Sequence, residues 1–231
     1  MKKITKYIPT IILTLLCSCS DYLDIVPDNV TTLDIVFNNR NTAERYLANC
    51  YHFVPDHGSV KRIPGMGAGH ECWFYTTNDS HFENIDAPYA NYWDGEGGSN
   101  LPMFRAIREC NIFLDYVRDQ HKVNDLTDSE RKRWIAEVNV LKAYYHFFLF
   151  EHYGPIPIVD KALPVSTDPE GVKVTRMPVD QIVDYMVKLI DDSYKDLPPV
   201  ITMEATEMGR LTQPAALALK AKILLWAASP L

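Results

Sequence analysis

Between Thr127 and Pro155 runs one uninterrupted helical pattern, and it sets the scale of anything this chain can fold into. Trp134, Ile135, Val138, Leu141, Tyr145, Phe148, Leu149 and His152 recur at three- and four-residue spacing, the period of one helix face. Thr127 followed by Glu130 is a capping box, and Gly154 with Pro155 closes the far end. At 1.5 Å per residue such a helix runs ~39 Å, longer than a small domain is wide. Everything else must pack around it.

Four further helices are predicted. Asn41 with Glu44 reads as a capping box for Ala43, Tyr46, Leu47, Cys50 and Val54, which continue to the stop at Pro55. Beyond Pro102, Phe104, Ile107, Asn111, Leu114 and Val117 mark a second helix ending near His121. After the long third helix and an extended, proline-bearing segment, a fourth runs from Pro178 through Ile182, Met186, Leu189 and Ile190 to Leu197, stopped by Pro198 and Pro199. The fifth opens at Thr212 with Pro214 in its first turn, where proline is tolerated. Alanines at 215, 216, 218, 221, 227 and 228, interleaved with Leu217, Leu219, Ile223, Leu224, Leu225 and Trp226, make it apolar around most of its circumference. A helix of that kind has to be covered on more than one side. Successive amphipathic helices with such a member predict an all-α chain, an α-solenoid of paired helices.

Residues 56–100 break this order. They hold seven glycines and no sustained period, which predicts a long irregular loop, and loops of that length in a compact domain usually carry function or are disordered. From Trp73 to Phe104, eight of 32 residues are aromatic against 11% of the whole chain, and they lie among Asn78, Asp79, Ser80, Glu83, Asn84 and Asp86. Sugars present flat C–H faces beside hydroxyls, so a site for them needs aromatic platforms next to amides and carboxylates. Trp73, Tyr75, Asn78, Asp79, Tyr89, Tyr92 and Trp93 are the candidate ligand-binding residues; the competing role for each ring is to anchor the loop onto the helices. Acid–base work by Asp79 with Glu83 or Asp86 on a glycosidic bond is a weaker expectation, because acidic residues in a polar loop are usually just solvated. Gly65, Gly67 and Gly69 lack the strand, helix and Gly-Lys-Ser/Thr of a phosphate loop. The chain has no His-Glu-x-x-His, no Cys-x-x-Cys and no Gly-x-Ser-x-Gly, so no metal, cofactor or nucleophilic serine is expected. His146 and His152 are expected to be buried, hydrogen-bonded packing residues of the long helix.

At the other end of the chain, Lys2, Lys3 and Lys6 precede an apolar stretch from Tyr7 to Leu16 that is too short to span a bilayer, and Leu16-Cys17-Ser18-Cys19 follows. This is the build of a bacterial lipoprotein signal. Ser18 is the small residue a peptidase accepts before the cut, which makes Cys19 the expected lipid-bearing first residue of the mature chain. The expected organisation is therefore signal 1–18, a polar tether 19–40 and a helical domain 41–231. Cleavage removes three lysines and no acids, leaving 20 basic against 30 acidic residues. So acidic a chain is a poor partner for nucleic acid. Of the remaining cysteines, Cys50 and Cys110 fall on apolar helix faces as expected buried thiols, and with Cys72 their odd number excludes a full disulfide framework.

In order and spacing the chain resembles the SusD/RagB-like outer-membrane lipoproteins of the Bacteroidetes. The resemblance rests on Tyr22-Leu23-Asp24 and Pro27, on Ile107 through Cys110-Asn111 to Phe113-Leu114, and on Ala136-Glu137 through Ala143-Tyr144-Tyr145 to Tyr153-Gly154-Pro155-Ile156-Pro157. It continues through Arg176, Pro178, Ile182, Leu197-Pro198, Gly209-Arg210 and Thr212 to Ala227-Ala228-Ser229-Pro230-Leu231. What the resemblance implies is a superhelix of tetratricopeptide-like helix pairs and a surface glycan-binding protein that sits as a lid on a TonB-dependent, SusC-like transporter, without catalysis. Peptide is the alternative ligand, and a tetratricopeptide-like protein-binding scaffold the alternative role. Asp21 and Asp24 look like the acidic stretch that routes such lipoproteins to the outer face of the outer membrane. Trp93 looks like the family tryptophan that packs ahead of the second helix, which favours Trp73 and Tyr75 as sugar platforms. Chains of the family continue well past the Ala-Ala-Ser-Pro-Leu segment, so these residues look like an N-terminal half.

Overall fold

A computed structural model of the chain describes residues 32–56, 91–93, 101–164, 170 and 173–229. Among these residues the secondary structure is all helical, without a strand: α1 (Leu33–Val36), α2 (Arg40–His52), α3 (Met103–Val117), α4 (Asp128–Tyr153), α5 (Val179–Asp191), a 3-10 turn (Tyr194–Asp196), α6 (Glu204–Glu207) and α7 (Gln213–Ala227). The chain divides into a unit at 1–35 and a compact unit at 36–231. Within the second, the most extensive packing joins α3 to α4, α4 to α5 and α5 to α7. Phe37, which the sequence places in the tether, is fully buried there, stacked on Tyr116 at 4.6 Å.

The long helix is the pattern expected at 127–155. Thr127 and Glu130 form the reciprocal capping box, and Gly154 ends the helix at φ 67°, a backbone conformation that favours glycine. The first helix is capped differently: Asn39, not Asn41, is its N-cap, its side chain accepting from the Thr42 N–H at 3.1 Å, and Asn41 lies inside the first turn. The fourth helix closes earlier than its apolar pattern, at Asp191, and Tyr194–Asp196 carries the chain to Leu197 as a 3-10 turn. On α7 only Ala216 and Ile223 are buried, whereas Leu217, Leu224 and Leu225 are exposed.

What the sequence does not disclose is how far α4 is buried. Besides its apolar residues, Arg131, Glu137, Asn139, Lys142 and His146 are all within the core. A buried charge is tolerated only when it is paired, and each of these has found its partner. Arg131 donates to the carbonyls of Val117 (2.6 Å), Asp119 (3.2 Å), Lys122 (3.0 Å) and Val123 (2.9 Å), so one guanidinium satisfies the end of α3 and the turn after it. It also holds Val123 at φ 51°, which a β-branched residue rarely adopts, while the Val123 N–H donates to the Phe37 carbonyl at 3.1 Å.

Glu137 has no exposed side-chain surface. Arg210 grips it through two N–H groups, Nε to Oε2 at 3.1 Å and Nη2 to Oε1 at 2.9 Å. Arg133 donates to Oε1 at 2.9 Å, and the Tyr51 hydroxyl donates to Oε2 at 2.7 Å while accepting from the Leu211 N–H at 3.1 Å. Glu207 accepts from Arg133 at 2.8 Å. One carboxylate thereby ties α2, α4, α6 and the approach to α7.

Lower on α4, Lys142 and His146 pin the segment after Gly154. The Lys142 ammonium donates to the Asp160 carboxylate at 2.8 Å and to the Asp160 carbonyl at 2.9 Å. Burial pushes its pKa down, with Asp160 pulling the other way. His146 is fully buried, its Nδ1 2.7 Å from the Lys142 carbonyl and its Nε2 3.4 Å from the Val159 N–H. A carbonyl on one side and an N–H on the other fix a neutral ring, Nδ1–H donating and Nε2 accepting. From α3, the Asn111 amide donates to the Val159 carbonyl at 3.0 Å.

Two measurements test this core. Glu137→Gln leaves two guanidiniums facing a neutral amide and is expected to cost about 3 kcal/mol in urea unfolding; Glu207→Gln, at the solvent edge of the cluster, should cost under about 1 kcal/mol. Burial pushes the His146 imidazole down from 6.5 to about 4. Because the folded state disfavours the protonated ring, stability from this residue is present above pH 6.5 and is lost as pH falls toward 4, by about 3 kcal/mol in all. His146→Gln should be less stable at pH 7 and should lack that part of the slope; equal slopes for both proteins between pH 6.5 and 4 would contradict the buried neutral ring.

Candidate functional site

The pinned segment forms one wall of a surface cavity of about 340 Å³. Pro157, Val159, Lys161 and Leu163 come from that segment, Phe104 and Arg108 from the first two turns of α3, and Trp93 from just before it. Residues four apart on a helix share a face, which puts the Phe104 ring and the Arg108 guanidinium on the same side of α3. Arg108 donates to the Leu163 carbonyl, closing the two walls against each other.

Backbone bonds set the third wall. The Met103 N–H donates to the Tyr92 carbonyl at 2.9 Å and the Phe104 N–H to the Trp93 carbonyl at 3.3 Å, so the chain before α3 is fastened to its first turn. Trp93 lies 4.6 Å from Phe104, tilted by 59°, and edge-on to Tyr153 at 5.7 Å. The Arg176 guanidinium sits over the indole at 5.3 Å while donating to the Pro155 carbonyl at 2.9 Å. The result is an aromatic and aliphatic floor with cations at its margin. It can hold a flat apolar face and offer hydrogen-bond donors beside it. Among the described residues lining it there is no pair of acid and base groups aimed at a common point.

A second cavity, of about 500 Å³, lies where α2, α4 and α7 approach, with Tyr51, Tyr144, Leu211, Ala215 and Leu219 in its walls. It is larger but almost entirely apolar, and the Tyr51 hydroxyl in it is committed to Glu137. Ligand pockets combine apolar walls with a few convergent polar groups, which favours the Trp93 cavity.

Of the residues singled out in the sequence, Cys19, Trp73, Tyr75, Asn78, Asp79 and Tyr89 lie outside the described residues. Tyr92 and Trp93 are described, and they part company. Tyr92 is 1% exposed, its ring edge-on to Phe148 at 4.9 Å and against His152 at 4.8 Å, so it packs the core. Trp93 is only partly buried and lines the cavity. His146 is buried as expected, whereas His152 is exposed, though its Nδ1 still bonds the Phe148 carbonyl at 2.7 Å. Cys50 and Cys110 are buried free thiols, and the Cys50 thiol is pushed up by its hydrogen bond to Cys110 and by burial. Arg108 and Lys161 were not foreseen; they stand 53 positions apart and no spacing connects them. Among the described residues there is no cluster of three histidine, cysteine or acidic side chains that could hold a metal, and no helix long and apolar enough to cross a membrane.

Comparison with known proteins accounts for this architecture. A family model described as starch-binding associating with outer membrane, SusD-like, matches residues 21–225. No curated protein sequence shows a significant match. Among solved structures, a SusD-like carbohydrate-binding protein from Bacteroides fragilis superposes with TM-score 0.64 at 21% identity, over 83% of this chain and 38% of that one. A SusD superfamily protein from Bacteroides thetaiotaomicron gives 0.65 at 14% identity, over 83% of this chain and 44% of that one. Surface glycan-binding protein A from Bacteroides thetaiotaomicron, solved with laminarihexaose, gives 0.60 at 16% identity over 82% and 39%. The chain thus spans less than half the length of each of these proteins, and what it shares with them is the tetratricopeptide-like helical fold. With the family match running over most of its residues, the chain belongs to the SusD-like family.

Proposed function

We propose that this chain is the binding part of a surface lipoprotein that captures glycan at the outer membrane and hands it to a TonB-dependent transporter, without turning it over. The observation that carries the reading is the cavity built on Trp93 and Phe104, an aromatic floor held on helices in a fold whose solved members include carbohydrate- and glycan-binding proteins. Outer-membrane association follows the family's description. The aromatic and amide residues of the irregular loop, Trp73, Tyr75, Asn78, Asp79 and Tyr89, are proposed as further ligand contacts, and Cys19 as the lipid anchor. Several acyl chains at about 0.8 kcal/mol per buried methylene would hold the protein at the membrane permanently. A protein-binding scaffold is less well supported, since the described residues lining the larger groove are mostly apolar and include no amide or lysine side chain of the kind that reads extended peptide backbone.

Calorimetric titration of the protein with a glycan panel should give heats of binding with no new reducing ends. Trp93→Ala should weaken that binding about fivefold, in line with about 1 kcal/mol for one aromatic contact, with a melting curve run alongside to confirm folding. Oligosaccharide release that disappears in Asp79→Asn or Glu83→Gln would put a glycosidase first instead. Mass spectrometry of the N-terminal peptide from membranes should show an acylated Cys19; a soluble mature protein with that cysteine unmodified would remove both anchor and surface from the proposal.

A further inference from the structure

The charge around the Trp93 cavity runs against the charge of the chain. The protein carries seven more acidic than basic residues, yet the charged groups that line this cavity among the described residues, Arg108 and Lys161, are both cations. Arg108 spends one N–H on the Leu163 carbonyl, and neither residue forms an ion pair among the described residues. Arg176, over the indole, brings a third positive charge and, among the described residues, hydrogen-bonds the carbonyls of Tyr153 and Pro155. Asp160, next to Lys161 in sequence, is already engaged by Lys142 at 2.8 Å and by the Tyr185 hydroxyl at 2.9 Å.

Neutral sugars need both donors and acceptors for their hydroxyls. Among the described residues, the side chains lining this cavity supply donors without an amide or carboxylate to accept. A saccharide whose acceptor strength is concentrated in an anionic substituent resolves that mismatch. Its C–H face would lie on Phe104 and the indole edge, and its carboxylate or sulfate oxygens would take the guanidinium and ammonium N–H groups in charge-assisted bonds. We infer that this cavity is a subsite for an acidic saccharide, with Arg108 and Lys161 as the residues that select the anionic group. The inference rests on the glycan-binding reading above and specifies its ligand class.

Calorimetric titrations with a galacturonate oligosaccharide, a sulfated galactan oligosaccharide and neutral laminarihexaose, each at 50 and 500 mM salt, test it and separate carboxylate from sulfate as the recognised group. One acidic ligand should bind more tightly than the neutral one, with affinity that falls as salt rises. Lys161→Gln should lower that affinity about tenfold, the loss of one hydrogen bond to a charged group. Arg108→Gln should lower it at least as much, and because Lys161 is exposed and has no ion pair among the described residues its variant carries the test even where loss of the Leu163 contact disturbs folding. Lys188→Gln on α5 removes the same charge from an exposed pair with Asp192 and should change affinity less than about twofold. Binding of laminarihexaose with no tighter acidic ligand, or acidic binding indifferent to Lys161→Gln, overturns the inference and leaves the glycan reading standing. Absence of heat with the acidic ligands overturns it too, and absence across the whole glycan panel removes the broader reading with it.

Discussion

The burial of α4 around nearly its whole circumference is the constraint to which the other described elements answer. A helix of 26 residues whose covered faces include an arginine, a glutamate, a lysine and a histidine cannot be wrapped by apolar side chains alone. Removing one partner of a buried ion pair costs about 3–5 kcal/mol, and leaving a polar group unsatisfied about 1–3. Each neighbouring segment is therefore admitted against α4 only where it brings the matching group: carbonyls of 117–123 for Arg131, Arg210 and Tyr51 for Glu137, Asp160 and the Val159 N–H for Lys142 and His146. Apolar burial supplies the larger energy but is indifferent to register. The polar pairs set which segment lies at which height on the helix.

That division explains what could be read from the sequence. The long helix, its Thr127 capping box, its glycine stop and the Thr212 opening of α7 are local signals, decided by residues within a turn of one another. The Asn41 and Glu44 pair carries the same signature and misleads, because Asn39 two residues earlier is placed to accept the Thr42 N–H. Lys142 and Glu137 lie in a stretch whose apolar spacing is plain, yet a charged residue in a helix reads as a solvated face until its partner is known. Those partners are 18 and 73 positions away, where no periodicity reaches. The burial of Phe37 is hidden for the same reason, since its stacking partner Tyr116 belongs to α3.

The candidate site divides along the same line. Aromatic enrichment drew attention to residues 73–104, and of the two candidates the structure describes there, one packs the core and the other lines the cavity. Tyr92 and Trp93 are adjacent, so composition cannot separate them. What separates them is direction: the Tyr92 N–H is held at 2.9 Å by the Tyr153 hydroxyl and its ring turns toward Phe148, which leaves the next side chain to face outward. The cations are not legible in the sequence because the cavity is assembled from α3 and from the segment after α4, and only their packing makes neighbours of Arg108 and Lys161.

The same packing decides how such a site would spend its interaction energy. Ordering a mobile loop around a ligand costs roughly 0.5–1.5 kcal/mol for each side chain immobilised. Here the wall carrying Pro157, Val159 and Lys161 is already fastened to two helices, through Asn111 on α3 and through Lys142 and His146 on α4. Little ordering is left to perform, so weak individual contacts of sugar with ring and cation can sum to useful affinity. It also makes the cavity a reporter on the core beneath it. The Val159 N–H donates to His146 Nε2, the ring nitrogen that protonation converts from acceptor to donor, so acidification should loosen the wall through the same bond that it breaks in the interior. A surface held in part by a buried histidine is thereby coupled to the stability of the domain.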